Sequence, residues 1–317
     1  MKLSIESLKS IFDIIINNEC ISRKELASTL MISNVSIGHA SDILASAGLI
    51  NISKDNSKKD AGGRRAELLL PSKDKLCLLI NACDGFVSFS LSPLARKPSA
   101  ATSLPFIYTL DFNDNFAVAL SSIKETLAES YIKPSIIAVA FPGEVSLITG
   151  RLEGTRVRDY LGGSVIEIMD RYGMTPDIIM SGASAAARFC NKQCIGAKRL
   201  MYISISEQIW GCVNGEYYED WGDIAVDRSL ALSYSEALRC CCDEEALTIY
   251  TGRFINTLRS AFSTDEIYVS STVLSGEILK SLDLKVHDAL EVSPVLYGLF
   301  DATKDKLFDK LLKATQP

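Results

Sequence analysis

Two helix starts placed close together, Ser22-Arg23-Lys24-Glu25 and Ser33-Asn34-Val35-Ser36, constrain this chain more than any other feature. Ser22 and Glu25 form an S-x-x-E capping box, in which each side chain satisfies a free backbone N–H at the other's end of the first turn. Ser33 has the chemistry of an N-cap for a following helix. Between them Leu26, Ala27 and Leu30 supply an inner helical face, and Met31-Ile32 makes the turn. Along the next helix Ile37, Ala40, Leu44 and Ala47 recur at steps of three, four and three, and Gly48 ends it. A further helix precedes the pair, from Leu3 to Asn17, with Leu8, Ile11, Phe12, Ile15 and Ile16 on one face.

After the third helix, Leu49-Ile50-Asn51-Ile52, a polar loop from Ser53 to Gly63 and a strand from Arg65 to Leu70 read as a hairpin, with Gly62-Gly63 allowing a sharp turn. Helix, turn, helix and basic hairpin together outline a winged helix-turn-helix. In such a unit the N-terminal residues of the second helix of the pair reach base edges, while hydroxyls, basic side chains and helix N-termini hold phosphates. The spacing leaves Asn34, Val35, Ser36, Gly38 and His39 opposite the apolar face. Asn34 and His39 are therefore the candidates for reading bases, and Val35 for touching a thymine methyl. Ser33, Ser36 and Arg23 suit phosphate, and Lys58, Lys59, Arg64 and Arg65 give the hairpin its charge. A helical hairpin with a basic loop also occurs in proteins that never meet DNA, so the hairpin charge and the larger region behind it matter to the reading.

The net charge of −6 looks unsuited to DNA until it is divided by region. Residues 1–71 hold nine Lys/Arg against eight Asp/Glu, leaving 24 against 31 for the rest. The acidic excess belongs to the body, and phosphate affinity depends on local clustering. With 317 residues the chain exceeds one ordinary core, so a small head and a two-lobed body are expected. No apolar run of about 18 residues suggests a membrane span, and the N-terminal residues lack the pattern of a secretory signal. Nine scattered cysteines fit a reducing compartment, so a cytoplasmic protein is expected.

Beyond the head, apolar runs predict strands at 76–82, 86–91 and 106–112, a helix at 115–131, a strand at 135–141, a helix at 164–172, a strand at 177–180 and a helix at 183–192. A like order follows. Strands are expected at 199–205, 209–213 and 216–218, with Asn214-Gly215 a hairpin turn. A long helix at 235–261, a strand at 266–270, a helix at 276–281, a strand at 287–292 and a helix at 294–313 complete it. This is a β-β-β-α-β-α unit used twice, an α/β architecture with a cleft between lobes. Boundaries are expected at 1–71 for the head, 72–194 for the first lobe and 195–317 for the second.

The head with its Gly62-Gly63-Arg64-Arg65 ending, followed by this body, resembles the ROK family of repressors, open reading frames and sugar kinases, in its sugar-responsive repressor branch. The segments that carry the likeness are Ala138-Val139-Ala140-Phe141-Pro142-Gly143, then Gly150-Arg151-Leu152, Ala183 to Arg188, Val213 to Tyr218 and Gly222-Asp223-Ile224. The resemblance implies an actin-like, ribonuclease-H-like ATPase fold, a homodimer or tetramer, operator DNA as partner and a sugar or sugar phosphate as effector.

The departures from the family pattern concern its chemistry. Where family kinases carry a D-x-G-G-T phosphate loop, this chain has Asn81-Ala82-Cys83-Asp84-Gly85-Phe86. The second glycine-rich phosphate segment is replaced by Ser206-Glu207-Gln208-Ile209-Trp210-Gly211, and the adenine-side glycines by Ser270-Ser271-Thr272. The catalytic N-D pair is replaced by Ser181-Gly182, neither of which can take a proton from a sugar hydroxyl. The histidine and C-x-C-G-x-x-G-C run that hold zinc in the family are missing, and adjacent Cys240-Cys241-Cys242 point in different directions on a helix. No catalytic residue, metal or cofactor is expected. Gly143, Asp220, Trp221 and Asp223 are the candidates for effector binding, with the tryptophan stacking on a sugar face. Arg156, Arg158 and Asp159 suit either a charged surface loop or a ligand clamp. A sugar kinase with unorthodox motifs and a protein-interaction scaffold remain the alternatives to a repressor.

Overall fold

The computed structural model describes residues 4–54, 66–83, 85–153, 160–193, 199–205, 209–213, 216–218, 221–271, 273–282, 284–287 and 292–315. Its N-terminal part runs α1 (Ile5–Asn18), β1 (Ile21–Ser22), α2 (Arg23–Leu30), α3 (Asn34–Ser46), β2 (Ile50–Lys54) and β3 (Glu67–Pro71). The starts of α2 and α3 have the expected chemistry, and Ser4 caps α1 without having been foreseen. Ser4 Oγ accepts from Ser7 N–H at 3.1 Å, and Ser33 Oγ accepts from Ser36 N–H at 3.2 Å. The Ser22–Glu25 box is complete, with Glu25 N–H donating to Ser22 Oγ at 3.2 Å and Ser22 N–H to Glu25 Oε2 at 3.0 Å. All five apolar residues expected on the inner face of α1 are buried, as are Ile37, Ala40 and Leu44 of α3 and its C-cap Ala47. The hairpin pairs β2 with β3 from Ile50 opposite Pro71 to Lys54 opposite Glu67. An unforeseen strand, β1, adds to the other edge of β3, giving the sheet order β1-β3-β2.

Next come β4 (Leu76–Asn81), β5 (Phe86–Pro93), β6 (Thr102–Pro105), α4 (Phe112–Glu129), β7 (Ile136–Phe141), the short pair β8 (Glu144–Val145) and β9 (Leu152–Glu153), α5 (Val165–Arg171), β10 (Ile178–Ser181) and α6 (Gly182–Gln193). The second half continues with β11 (Leu200–Ile205), β12 (Ile209–Val213), β13 (Glu216–Tyr218), a 3₁₀ turn at Trp221–Asp223, β14 (Ala225–Asp227), β15 (Leu232–Ser233), α7 (Tyr234–Cys240), α8 (Glu244–Phe262), β16 (Glu266–Ser271), α9 (Gly276–Ser281), β17 (Lys285–His287) and α10 (Pro294–Thr315).

The two halves build sheets of the same order, β10-β7-β4-β5-β6 and β13-β12-β11-β16-β17. In each, the first three strands form an antiparallel meander and the last two add in parallel beside the first strand. The chain is therefore a mixed α/β protein with a repeated unit, whose main elements run β-β-β-α-β-α-β-α; this corrects the expected β-β-β-α-β-α, because each unit ends with a further parallel strand and helix. The helices that close the units, α6 and α10, pack against each other and are shared. Helix α6 reaches β11 and β12 of the second sheet, whereas α10 lies on β4, β7 and β10 of the first. Their approach is close because both crossing surfaces are small, with Ala183, Ala185, Ala186 and Ala187 on α6 and Gly298 on α10.

Three expected elements moved. The strand predicted at 106–112 is a loop, and β6 lies earlier. Asn115 holds this loop by accepting from Ile107 N–H at 2.6 Å and donating to Leu110 O at 3.0 Å, and Asp111 caps α4. The helix predicted at 235–261 breaks in two. Cys241 leaves helical geometry at φ −87 and ψ 113, and Asp243 caps α8. The strand predicted at 287–292 is β17, at Lys285–His287, and residues 288–291 lie outside the described residues.

Head and body share a core. One apolar cluster runs from Leu8, Phe12 and Leu44 through Leu79 and Ala186 to Trp210 and Leu312. At its head end Phe12 stacks on Phe308 with centroids 5.6 Å apart. Beside them Asp305 of α10 pairs with Lys9 of α1 at 3.2 Å and with Arg188 of α6. One turn earlier, burial disfavours ionisation of Asp301, but the Lys304 ammonium at 2.6 Å, joined by Lys192, outweighs it and holds the carboxyl below its ordinary range.

Candidate nucleic-acid interface and inter-lobe cleft

Helix α3 is buried along one side and open along the other. Ser33, Asn34, Val35 and His39 are exposed and Ser36 is half-buried, so all five expected residues reach the surface in the first two turns of α3. The first turn carries no acidic residue, which leaves the positive end of the helix unopposed. Ser33 and Ser36 face each other at 2.9 Å between hydroxyl oxygens.

Arg23 is placed otherwise than its expected phosphate role requires. Its guanidinium bridges Asp42 of α3 at 2.9 Å and Glu67 of β3 at 2.8 Å, and its side chain is largely buried. Arg23 is a clamp that fixes α3 against the sheet. Lys58, Lys59, Arg64 and Arg65 lie outside the described residues. Sequence reasoning passed over Met31, which closes α2 in the left-handed region with its side chain in solvent.

In the body, the segments that carry phosphate and catalytic motifs in ROK kinases meet around the start of α6. Ser181 Oγ accepts from Ser184 N–H at 3.2 Å, a helix-capping use of the position. A Cβ placed on Gly182 would lie 2.5 Å from Cys83 Sγ and 3.3 Å from Trp210 Cη2. Cys83 and Trp210 are both buried and come from the two altered phosphate segments. Trp210 packs against Tyr202 with centroids 5.5 Å apart, and the Tyr202 hydroxyl meets Ser270 Oγ at 2.5 Å. On the other side Asn81 donates to Ser293 Oγ at 3.4 Å and accepts from Cys83 N–H at 3.1 Å. Asp84, Ser206, Glu207, Gln208, Asn214, Gly215 and Thr272 lie outside the described residues.

The expected effector candidates are not assembled into one site. Trp221 is only 3% exposed and packs on Phe262 with centroids 5.6 Å apart, and a Cβ on Gly211 would lie 2.5 Å from its ring. It is a core residue, which corrects the expectation that it stacks on a sugar. In the 3₁₀ turn at Trp221–Asp223 the indole points inward, into an apolar cluster with Ile209, Tyr234 and Phe254. Gly143 is buried in the turn between β7 and β8. Asp220 lies outside the described residues, as do the Asp223 side chain and Arg156, Arg158 and Asp159. Only Cys240 lies on α7, since Cys241 turns to extended backbone, which corrects the expectation of three cysteines along one helix; Cys241 Sγ donates to Asp243 O at 3.4 Å. No group of three His, Cys, Asp or Glu side chains suited to a metal occurs among the described residues.

No protein-family model and no curated protein matches the sequence. Solved structures do match. The crystal structure of a ROK family transcriptional regulator, described as a homologue of the E. coli MLC protein, aligns over 98% of this chain and 98% of its own, with a TM-score of 0.61 and 16% identity. An inorganic polyphosphate/ATP-glucomannokinase from Arthrobacter sp. strain KM covers 73% of this chain and 99% of its own, at 0.54 and 14%. The fold is that of ROK family proteins. A ROK family protein from Streptococcus pneumoniae TIGR4, solved in complex with sucrose, covers 73% of this chain and 99% of its own, at 0.51 and 13%. ROK neighbours thus include both a regulator and sugar kinases, and the alignment with the ROK regulator takes in the head. No helix among the described residues is long and apolar enough to cross a membrane.

Proposed function

We propose that this protein is a DNA-binding transcriptional regulator, a repressor of carbohydrate-related genes. In this reading residues 1–71 form a winged helix-turn-helix with α3 as its recognition helix. Residues 72–194 and 195–317 form the two lobes of a ROK-like body that no longer phosphorylates sugar. The carrying observation is the exposed polar face at the start of α3, above a fully packed inner face. The protein is proposed to act in the cytoplasm as a homodimer or tetramer, so that two heads read two half-sites of an operator. Linking two heads in one particle adds affinity without any new contact.

Asn34 and His39 are assigned to base edges, and Ser33 and Ser36 to phosphate at the helix N-terminus. Lys58, Lys59, Arg64 and Arg65 are assigned to phosphate or the minor groove, which makes affinity depend on salt. Asn34→Ala is expected to change which duplexes a random-sequence pool yields, at about 1–3 kcal/mol for a lost base contact. An unchanged preference would remove α3 from the role of reader.

Loss of phosphotransfer is supported by Gly182, because a general base there needs a carboxylate side chain and Cys83 and Trp210 fill its space. The kinase neighbours favour a second reading, a sugar kinase with unorthodox motifs. The two readings separate cheaply. ATP with Mg²⁺ at 100 times its Kd would stabilise a nucleotide-binding body by about 2.7 kcal/mol; no shift in Tm is expected here. A sugar or sugar phosphate is the proposed effector, bound without Trp221 as a stacking platform.

A further inference from the structure

The first half of the body turns large apolar side chains to solvent on three loops. In the turn between β8 and β9, Leu147 is 81% and Ile148 97% exposed. That turn is ordered, with Ser146 N–H bonding Arg151 O at 2.9 Å and Gly150 N–H bonding Ser146 O at 2.7 Å, so hydrogen-bonded backbone holds both side chains outward. Leu161, ahead of α5, and Tyr108, ahead of α4, are each 82% exposed, and Ile107 is half exposed.

Contacts beneath these side chains tie the three loops together. The Tyr160 hydroxyl accepts from Leu152 N–H at 3.0 Å and donates to Gly163 O at 2.7 Å, and Val165 N–H bonds Gly150 O at 2.8 Å. Both links join the β8–β9 turn to the loop before α5. The Tyr160 ring meets Phe112 with centroids 6.0 Å apart, and Phe112 meets Phe106, the neighbour of Ile107, at 5.7 Å. From the first turn of α4, Asn113 donates to Gly162 O.

The five side chains expose on the order of 700 Å², more than the roughly 300–600 Å² of the largest apolar patch on a typical monomer. A stable protein interface covers about 800 Å² on each partner. The chemistry of the patch selects that partner. In a chain with 23% charged residues, the segments 106–110, 145–150 and 160–166 contain no Asp, Glu, Lys or Arg. Glu144, Arg151 and Glu167 stand exposed at their borders, as charges do at the rim of an interface. In a two-fold dimer the patch meets its own copy, and a charge near the axis would face its like. An apolar surface free of charge pairs with itself without that cost, whereas a partner recognised by charge finds nothing there to complement. We infer that these three loops form the surface on which two copies of this chain meet. This rests on the homodimer of the reading above and not on its DNA contacts.

The test is sedimentation velocity on the full chain over a concentration series. The wild type is expected to dimerise. Leu147→Asp combined with Ile148→Asp sets carboxylates of one copy against those of the other, and is expected to raise the dimer dissociation constant about 100-fold or more with an unchanged circular dichroism spectrum. Tyr131→Asp, at a residue 97% exposed beyond the other end of α4, is the control and is expected to dimerise as the wild type does. A wild type that stays monomeric, a double variant that dimerises normally, or equal dissociation in Tyr131→Asp would each overturn the inference. Hydrogen exchange on the wild type needs no substitution. Amides in 106–110 and 145–150 are expected to exchange more slowly in the dimer, and unchanged exchange there would put the interface elsewhere and overturn the inference. A dimer that dissociates in the double variant but enriches no duplex would uphold this surface and overturn the DNA-binding reading.

Discussion

Gly298→Ala is expected to destabilise the chain by about 3 kcal/mol or more, at the upper end of what overpacking costs. A Cβ on Gly298 would sit 1.7 Å from the Ala185 carbonyl oxygen and 2.4 Å from its carbonyl carbon. These are backbone atoms of another helix, so no change of rotamer relieves the clash and one helix must retreat. Because α10 also carries Val295, Leu296, Leu299 and Phe300 into the core, its retreat opens the first sheet. The urea midpoint should fall clearly. Gly276→Ala, where a Cβ meets nothing within 4 Å, serves as the control and should stay within about 1 kcal/mol of wild type. Equal midpoints for the two variants would contradict the close crossing of α6 and α10.

Phe12→Ala is the second large effect, expected at about 3–5 kcal/mol for a fully buried ring. Phe12 and Phe308 are each 1% exposed and stack with an interplanar angle of 28°. Their contact joins α1 of the head to the C-terminal part of α10, whose N-terminal part packs on α6. The flanking Lys9–Asp305 pair is too exposed to replace it, since such pairs contribute about 1 kcal/mol or less. In a thermal-unfolding cycle with Phe308→Ala the two losses should couple by about 0.5–3 kcal/mol. Strict additivity would mean that the rings do not bear on each other.

What could be read directly from the sequence was local. The caps at Ser22, Glu25 and Ser33 and the apolar spacings of α1 and α3 act within one or two turns, and the structure uses all of them. The repeated strand order was legible for the same reason, because each strand announces itself as a short apolar run between turns. The break between α7 and α8 was also written in the chain. Asp243 caps α8 by accepting from Glu245 N–H at 3.2 Å and Ala246 N–H at 3.4 Å, but it stands between three cysteines and two glutamates that read equally well as one continuous helix. The third strand of the first sheet was misplaced because Phe106 and Phe112 look like strand residues. Phe106 instead leads a loop held by Asn115 and by Leu110 N–H bonding Ile107 O, Phe112 opens α4, and their rings meet with centroids 5.7 Å apart.

Long-range partners left no local trace. Nothing near Arg23 foretells Asp42 and Glu67, and hence a clamp in place of a phosphate ligand. The acids around Trp221 suggested a sugar-binding turn, whereas the indole fills space beside Gly211 and Phe262. The surroundings of Gly182 lie between these cases. Loss of glycines at Cys83 and Trp210 was visible, but that both crowd Gly182 follows only from the meeting of β4, β12 and α6.

The central claim is that this chain reads DNA sequence with α3. Its most direct test is titration of the full-length chain against the duplex it enriches from a random-sequence pool, and against a scrambled duplex, followed by fluorescence anisotropy across salt concentrations. The account predicts a complex with the enriched duplex about 10³-fold tighter than with the scrambled one. It also predicts that the logarithm of the binding constant falls linearly with the logarithm of salt concentration. Equal affinity for both duplexes at every salt concentration, or no binding at the lowest, would contradict it.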